Sequence, residues 1–190
     1  MYLILPKTRP VLDSGHLPLF FLAGPIRGGG DWHHRAATLL AGASMCLIAN
    51  PSRYTEEHPL YRYRLEGPEP FAHQTFWERY YMRQAAGVWR QGCLIFWLPC
   101  ESSENPRTDG DPYARDTYGE LGEWRALMAH DTALRVVIGA EPGFPGLKQI
   151  QLNFYDALGS AFVIHDSLET VVQEALRVAR RPSFAERVGT

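Results

Sequence analysis

Short apolar runs alternate along this chain with stretches whose apolar residues recur at helical spacing. Leu19–Ala23 (LFFLA), closed by Gly24-Pro25, predicts a buried strand. Ala36, Leu39, Leu40 and Ala43 then fall on one face of a helix over residues 32–43, with Asp31 or a neighbour as its cap. Residues 45–49 predict a second strand, stopped by Asn50-Pro51, and residues 71–90 a helix rich in aromatics. Residues 93–98 (CLIFWL) predict a third strand, ended by Pro99. A helix over 117–130 carries Leu121, Trp124, Leu127 and Met128 on one side. A fourth strand is predicted at 134–140, a turn at 141–146 and a short fifth strand at 162–165. Residues 168–181 close the pattern as an amphipathic helix with Val171, Val172, Ala175 and Val178 inward.

Strands that alternate with helices predict an α/β fold: a five-stranded parallel sheet, doubly wound, with helices on both faces. No internal repeat is visible, and 190 residues suit a single domain over 1–190. Its core is expected over about 19–181, with a loose tail at 182–190. The polar stretches 52–70 and 100–116 are long loops, the second read as a lid; loops of that length often carry function. In open parallel sheets ligands bind beyond the carboxyl ends of the strands. The segments leaving those ends begin at Gly24, Pro51 and Pro99.

Composition narrows the class. Hydrophobic residues make up 45% and charged residues 21%, enough apolar material for a core without disulfides. Cys46, Cys93 and Cys100 are too widely spaced for a structural zinc site, and their odd number suits a reducing compartment. His33, His34, His58, His73, His130 and His165 show no metal-binding spacing, so neither a metal nor another cofactor is expected. The net charge is −2, with no basic stripe, which argues against polymeric nucleic acid and for a small-molecule partner. No run of 18 apolar residues predicts a membrane span. The short apolar start has Lys7 and Arg9 after it rather than before it, the wrong order for a signal peptide. A cytoplasmic protein is expected.

Three segments hold candidate chemistry. In Gly24-Pro25-Ile26-Arg27-Gly28-Gly29-Gly30-Asp31-Trp32 the glycines let a ligand approach the backbone, and Arg27 is a candidate fork for phosphate or carboxylate. The same residues equally describe a plain turn with a solvent-facing arginine. In Asp116-Thr117-Tyr118-Gly119-Glu120-Leu121-Gly122-Glu123 a carboxylate opens a helix. Such a group often only complements the helix dipole, but Gly119 and Gly122 are expected to leave room beside Glu120 for a sugar. Glu123 points elsewhere. Gln74, Trp77 and Glu78 lie at i, i+3 and i+4, a stripe able to stack on and hydrogen-bond a base, or simply a core edge. No G-x-S-x-G hydrolase signature occurs.

Taken in order, Phe21-Leu22-Ala23-Gly24-Pro25-Ile26, Asp31-Trp32, Asn50-Pro51-Ser52-Arg53, Gln74 with Trp77-Glu78, and Thr117-Tyr118-Gly119-Glu120-Leu121-Gly122 resemble the nucleoside 2-deoxyribosyltransferase family over roughly residues 19–165. The resemblance implies a flavodoxin-like fold and Glu120 as nucleophile, with Asp116 the nearest aspartate before it and Asp111 or Asp109 behind. Ile26-Arg27-Gly28-Gly29 also resembles the phosphate-holding run of the sister 2-deoxynucleoside 5-phosphate N-hydrolases, with Pro25 in place of a serine. The implied chemistry is retaining cleavage or exchange of an N-glycosidic bond, with Asp116 as acid and Trp32 and Trp77 around the base. Arg27 and residues 28–30 would then hold a 5-phosphate or 5-hydroxyl. A homo-oligomer is also implied, with Gln149-Ile150-Gln151-Leu152-Asn153-Phe154-Tyr155 reaching across and Asn153 and Tyr155 contributing. Two alternatives stand beside this: a hydrolase of nucleoside 5-phosphates or of NAD-type nucleotides, and a non-catalytic nucleotide-binding sensor.

Overall fold

The computed structural model describes residues 1–12 and 17–180; the expected loose tail lies outside the described residues. Eleven regular elements follow the chain in order. They are β1 (Tyr2–Ile4), β2 (Leu19–Ala23), α1 (Trp32–Ala43), β3 (Leu47–Ala49), α2 (Gln74–Arg83), β4 (Gly92–Leu98), α3 (Arg115–His130), β5 (Val136–Ala140), α4 (Leu147–Leu158), β6 (Ile164–His165) and α5 (Leu168–Val178). A 3-10 turn at Tyr61–Tyr63 interrupts the first long loop, and one π-helical turn, Gln84–Val88, extends α2.

The sheet is wholly parallel and has six strands in the order β1-β3-β2-β4-β5-β6, one more than the pattern predicts. The added strand is β1, only three residues long and paired with β3 alone among the strands. In sequence these residues read only as a short apolar start ahead of Lys7 and Arg9. Segment 149–155, whose polar and apolar residues alternate in sequence, is the middle of α4, where Ile150 and Phe154, four apart, are the buried pair.

Strand residues alternate between two apolar layers, as the period of two requires. Phe20, Leu22, Ile48, Cys93, Ile95, Trp97 and Val137 face α1 and α5. Phe21, Ala23, Ala49, Leu94, Phe96, Leu98 and Ile138 face α2, α3 and α4. Strand β2 leads across to β3 on one side, and the chain then returns to β4 on the other. The carboxyl ends of β2 and β4 are therefore neighbours from which the chain departs in opposite directions, which opens a crevice above them. Among the described residues, no helix is long and apolar enough to cross a membrane.

Candidate functional site

A cavity of about 600 Å³ occupies this crevice, within the usual range for small-molecule sites. Phe21 and Ala23 of β2 form part of its lining, and the loop Gly24-Pro25-Ile26-Arg27 leaves the strand along one side. Gly24 makes that exit possible: its φ is +145°, and a Cβ there would lie 2.1 Å from the Trp97 carbonyl oxygen of β4. The first turns of α2 bring Gln74, Thr75 and Glu78, and the start of α3 brings Asp116, Thr117 and Glu120. Pro51 and Arg53 follow β3, and Arg107, Asp111, Ala114 and Arg115 come from the loop before α3.

Glu120 sits one position before the buried Leu121, in a helix whose inward stripe is Thr117, Leu121, Trp124 and Met128. That position leaves its carboxyl group mostly shielded from water. Burial, then the charges of Glu78 and Asp116, push its pKa up to about 8. Glu78 is also shielded, and burial raises its pKa. Its Oε1 accepts from Gln74 Nε2 at 2.8 Å, the same nitrogen donates to the Pro51 carbonyl at 2.9 Å, and Gln74 Oε1 accepts from Arg53 Nε at 2.8 Å. One relay thus links the cation of the β3 loop to a carboxyl group on α2. Asp116 differs: its side chain is 80% exposed and lies 3.5 Å from Arg115 Nε. The cleft therefore holds two sheltered carboxyl groups on different helices, Glu78 and Glu120, beside the exposed Asp116 and the arginine-paired Asp111.

The loop before α3 is tied down by alternating charges. Arg27 pairs with Asp109 at 2.5 Å; Arg107 bridges Asp109 at 2.5 Å and Asp111 at 2.9 Å; Arg115 pairs with Asp111 at 2.5 Å. Arg107 is almost wholly enclosed and also donates to the Pro112 carbonyl at 3.2 Å. Its guanidinium holds the Asp109 carboxyl well below the usual carboxylate range. Ser102 N–H donates to the Gly28 carbonyl and Tyr113 to the Pro99 carbonyl.

Of the residues singled out in the sequence, Gly24, Pro25, Ile26, Arg27, Gln74, Glu78, Asp116 and Glu120 converge on this cleft. Others do not. Trp77 is fully buried, and its Nε1 donates to the Thr8 carbonyl at 3.0 Å. Trp32 is buried against α1 and α5; its Nε1 donates to the Pro25 carbonyl at 2.9 Å, so it buttresses the loop from behind. Neither ring offers a face to the cleft. Gly28 packs near Arg107 and Tyr113, and Gly119 and Gly122 adjoin open space, where an added Cβ would meet nothing within 4 Å. Asn153 stands on α4, accepting from Gln149 at 3.0 Å. Sequence reasoning gave no role to Arg53 or Arg107, whose partners lie in distant or irregular segments.

Asp31 occupies the N-cap position of α1, but its side chain makes no cap bond. Its carboxylate instead lies 3.2 Å from His34 Nδ1 and 3.5 Å from His58 Nε2, and Oδ1 accepts from the Tyr54 hydroxyl at 3.3 Å. Ligand atoms of these two histidines and Asp31 all fall within 4.8 Å, a clustering that their sequence spacing conceals. However, His58 Nδ1 accepts from the Leu60 N–H at 3.2 Å. The neutral ring then carries its proton on Nε2, aimed at Asp31, and presents no lone pair to a cation there.

No known protein-family model matches the chain, and no curated protein matches it. What the site can do rests on its own geometry. It pairs two sheltered carboxyl groups with Arg27, Arg53, Arg107 and Arg115, at the mouth of a parallel sheet, in a cleft of about 600 Å³.

Proposed function

We propose that the protein cleaves or exchanges the N-glycosidic bond of a nucleoside or nucleotide, with Glu120 as nucleophile, on a flavodoxin-like scaffold of the nucleoside 2-deoxyribosyltransferase kind. The observation that carries this reading is the pair Glu120 and Glu78, shielded from water and facing one cleft from separate helices. A retaining glycosyl transfer needs two such groups, one ionised and one protonated, and like charges held close keep one proton between them.

In the first step a Glu120 oxygen bonds to the anomeric carbon as the carbon–nitrogen bond breaks. The bonding pair leaves with the base, which takes a proton from Glu78. The Glu78 carboxylate next removes a proton from water, or from an incoming base, which attacks the anomeric carbon and releases Glu120. Water gives a hydrolase and a second base gives a transferase. Glu78 suits the acid role better than Asp116 because it is shielded beside Glu120, whereas the Asp116 side chain is 80% exposed; the reacting form needs the pair's proton moved from Glu120, where burial favours it, to Glu78. The Gln74 amide orients Glu78. Arg27 lines the cleft with one guanidinium nitrogen on Asp109, so a substrate anion there shares the guanidinium with that carboxylate. Self-association through α4, with Asn153 and Tyr155 presented to another copy, belongs to the same reading; light scattering after size-exclusion chromatography tests it.

The deciding experiment is chromatographic assay of base release from a panel of nucleosides and their 5-phosphates, with and without an acceptor base, beside Glu120→Gln. Release without acceptor identifies a hydrolase and exchange only with acceptor a transferase. Tight binding with no release from any member would replace this reading by a nucleotide-binding sensor.

A further inference from the structure

A second cavity, of about 430 Å³, adjoins the first. Arg53 and Gln74 line both, so the two share a wall made by the β3 loop and the first turn of α2. Beyond that wall the second cavity is lined by Lys7, Thr8, Tyr54, Tyr61 and Arg64, with Glu66 and Glu69 among its acidic residues.

Its lining sets three cations, Lys7, Arg53 and Arg64, against two carboxylates, Glu66 and Glu69, an excess of one positive charge. Arg64 pairs with Glu66 at 2.8 Å and lies over the Tyr61 ring. Arg53 has the neutral Gln74 as its hydrogen-bond partner, and among the described residues neither Arg53 nor Lys7 forms an ion pair. Lys7 is half-buried, and its backbone has φ +68°, the left-handed region that a lysine rarely adopts. That conformation is held from three sides. Thr8 N–H donates to the Leu5 carbonyl, and the Thr8 carbonyl accepts from both Trp77 Nε1 at 3.0 Å and the Tyr81 hydroxyl at 3.4 Å. Two buried aromatic side chains of α2 thus hold a strained turn that itself carries a lysine without a carboxylate partner. Strain of this kind persists only where the surroundings over-determine it and gathers at ligand sites.

On the other side of the first cavity, Arg27 already has Asp109 as its partner. We infer that the phosphate-bearing end of the substrate lies in the second cavity, between Arg53 and Lys7, rather than on Arg27. The inference rests on the N-glycosidic reading for what occupies the first cavity. The substrate class is then a nucleotide whose phosphates extend past Arg53, up to a pyrophosphate-linked molecule spanning both cavities.

Inorganic pyrophosphate probes the second cavity without assuming a base. Its binding to the full chain would be measured calorimetrically, with sulfate at equal ionic strength as control. It would be compared across the unsubstituted protein, Lys7→Asn, Lys7→Gly and Arg27→Gln. Asn tolerates the left-handed backbone and Gly relieves it, so at least one folded variant lacks the charge. Pyrophosphate should bind better than sulfate, lose about tenfold in affinity in either Lys7 variant, and change less than about twofold in Arg27→Gln. No binding at millimolar concentration, unchanged affinity in a folded Lys7 variant, or a loss confined to Arg27→Gln would overturn the inference. Lys7-dependent binding with no base release from any substrate would defeat the N-glycosidic reading and leave the anion seat standing. Base release by a protein that does not bind pyrophosphate would do the reverse.

Discussion

At the scale of single residues, the fate of a few protons governs the site. In the folded protein Glu120 keeps its proton to about pH 8 because burial and the Glu78 and Asp116 charges oppose ionisation; the unfolded chain releases it near the ordinary value. A raised carboxyl pKa means that the folded state binds the proton more tightly. Stability therefore falls as pH rises from the ordinary carboxylate range to about 8, where the loss is complete. Glu120→Gln removes this penalty and should raise Tm at pH 8.5 on the order of 5 °C, with the gain vanishing near pH 4. Paired thermal melts read it. If Glu120 is the nucleophile and Glu78 the acid, the reactive form keeps one proton on the pair, placed on Glu78, so kcat/KM for base release should rise as the pair loses its first proton and fall above about pH 8 as the last one leaves. A rate that keeps rising above pH 8 would exclude Glu78 as the acid. Glu78→Gln should cost about 100-fold with ordinary bases, and much less with a leaving group that needs no proton; comparing the two substrates isolates the proton-transfer role.

At the scale of elements, two close approaches fix how helices and loops meet the sheet. A Cβ on Gly139 of β5 would lie 2.2 Å from Val171 Cγ2 of α5 and 3.0 Å from the Trp97 ring. Gly139→Ala should destabilise by about 1–3 kcal/mol, and Val171→Ala in the same chain should return part of it, which denaturant melts of the double-mutant cycle measure. Gly24→Ala should be worse, because its Cβ would strike a backbone carbonyl that no rotamer change can move aside. The strands and most helices were legible because LFFLA, CLIFWL and the amphipathic runs each satisfy one period over several residues. Glu120 was legible as a carboxylate at a helix start between small residues, and Gln74 and Glu78 as neighbours four apart. Trp77 was misassigned by the same logic. Successive residues turn by about 100°, so Trp77 and Glu78 fall on opposite flanks of Gln74, and the flank carrying Trp77 turns into the core. Arg53 stood only as the last residue of the Asn50-Pro51-Ser52-Arg53 run, without a role of its own, and Lys7 and Arg107 gave no sign of a site, because loops of irregular geometry bring them to the cavities.

At the scale of the whole molecule, the cleft is closed along one side by ion pairs rather than by apolar packing. Residues 99–114 hang on the enclosed Arg107 guanidinium. Arg107→Ala should leave the sheet and its helices folded but release this loop, read as faster amide hydrogen exchange confined to about residues 100–113. Raised salt should weaken the exposed Arg27–Asp109 pair more than the enclosed Arg107 contacts, and so loosen the loop at its tip before its root.

Strand β1 has a consequence of a different kind. Three residues cover one flank of β3, and their own outer side is covered by the chain at Arg64 and Leu65, whose N–H donates to the Leu3 carbonyl. A molecule trimmed of residues 1–8 would keep β2, β4, α2 and α3, and with them Glu78 and Glu120. It would also present Leu47-Ile48-Ala49, an apolar strand with its peptide groups bared, as the new margin of the sheet. Such a margin recruits strands from other molecules. The trimmed protein should therefore be lost to aggregation, growing steeply with concentration, before it is lost to unfolding, which makes a three-residue edge strand the guard against strand-to-strand association.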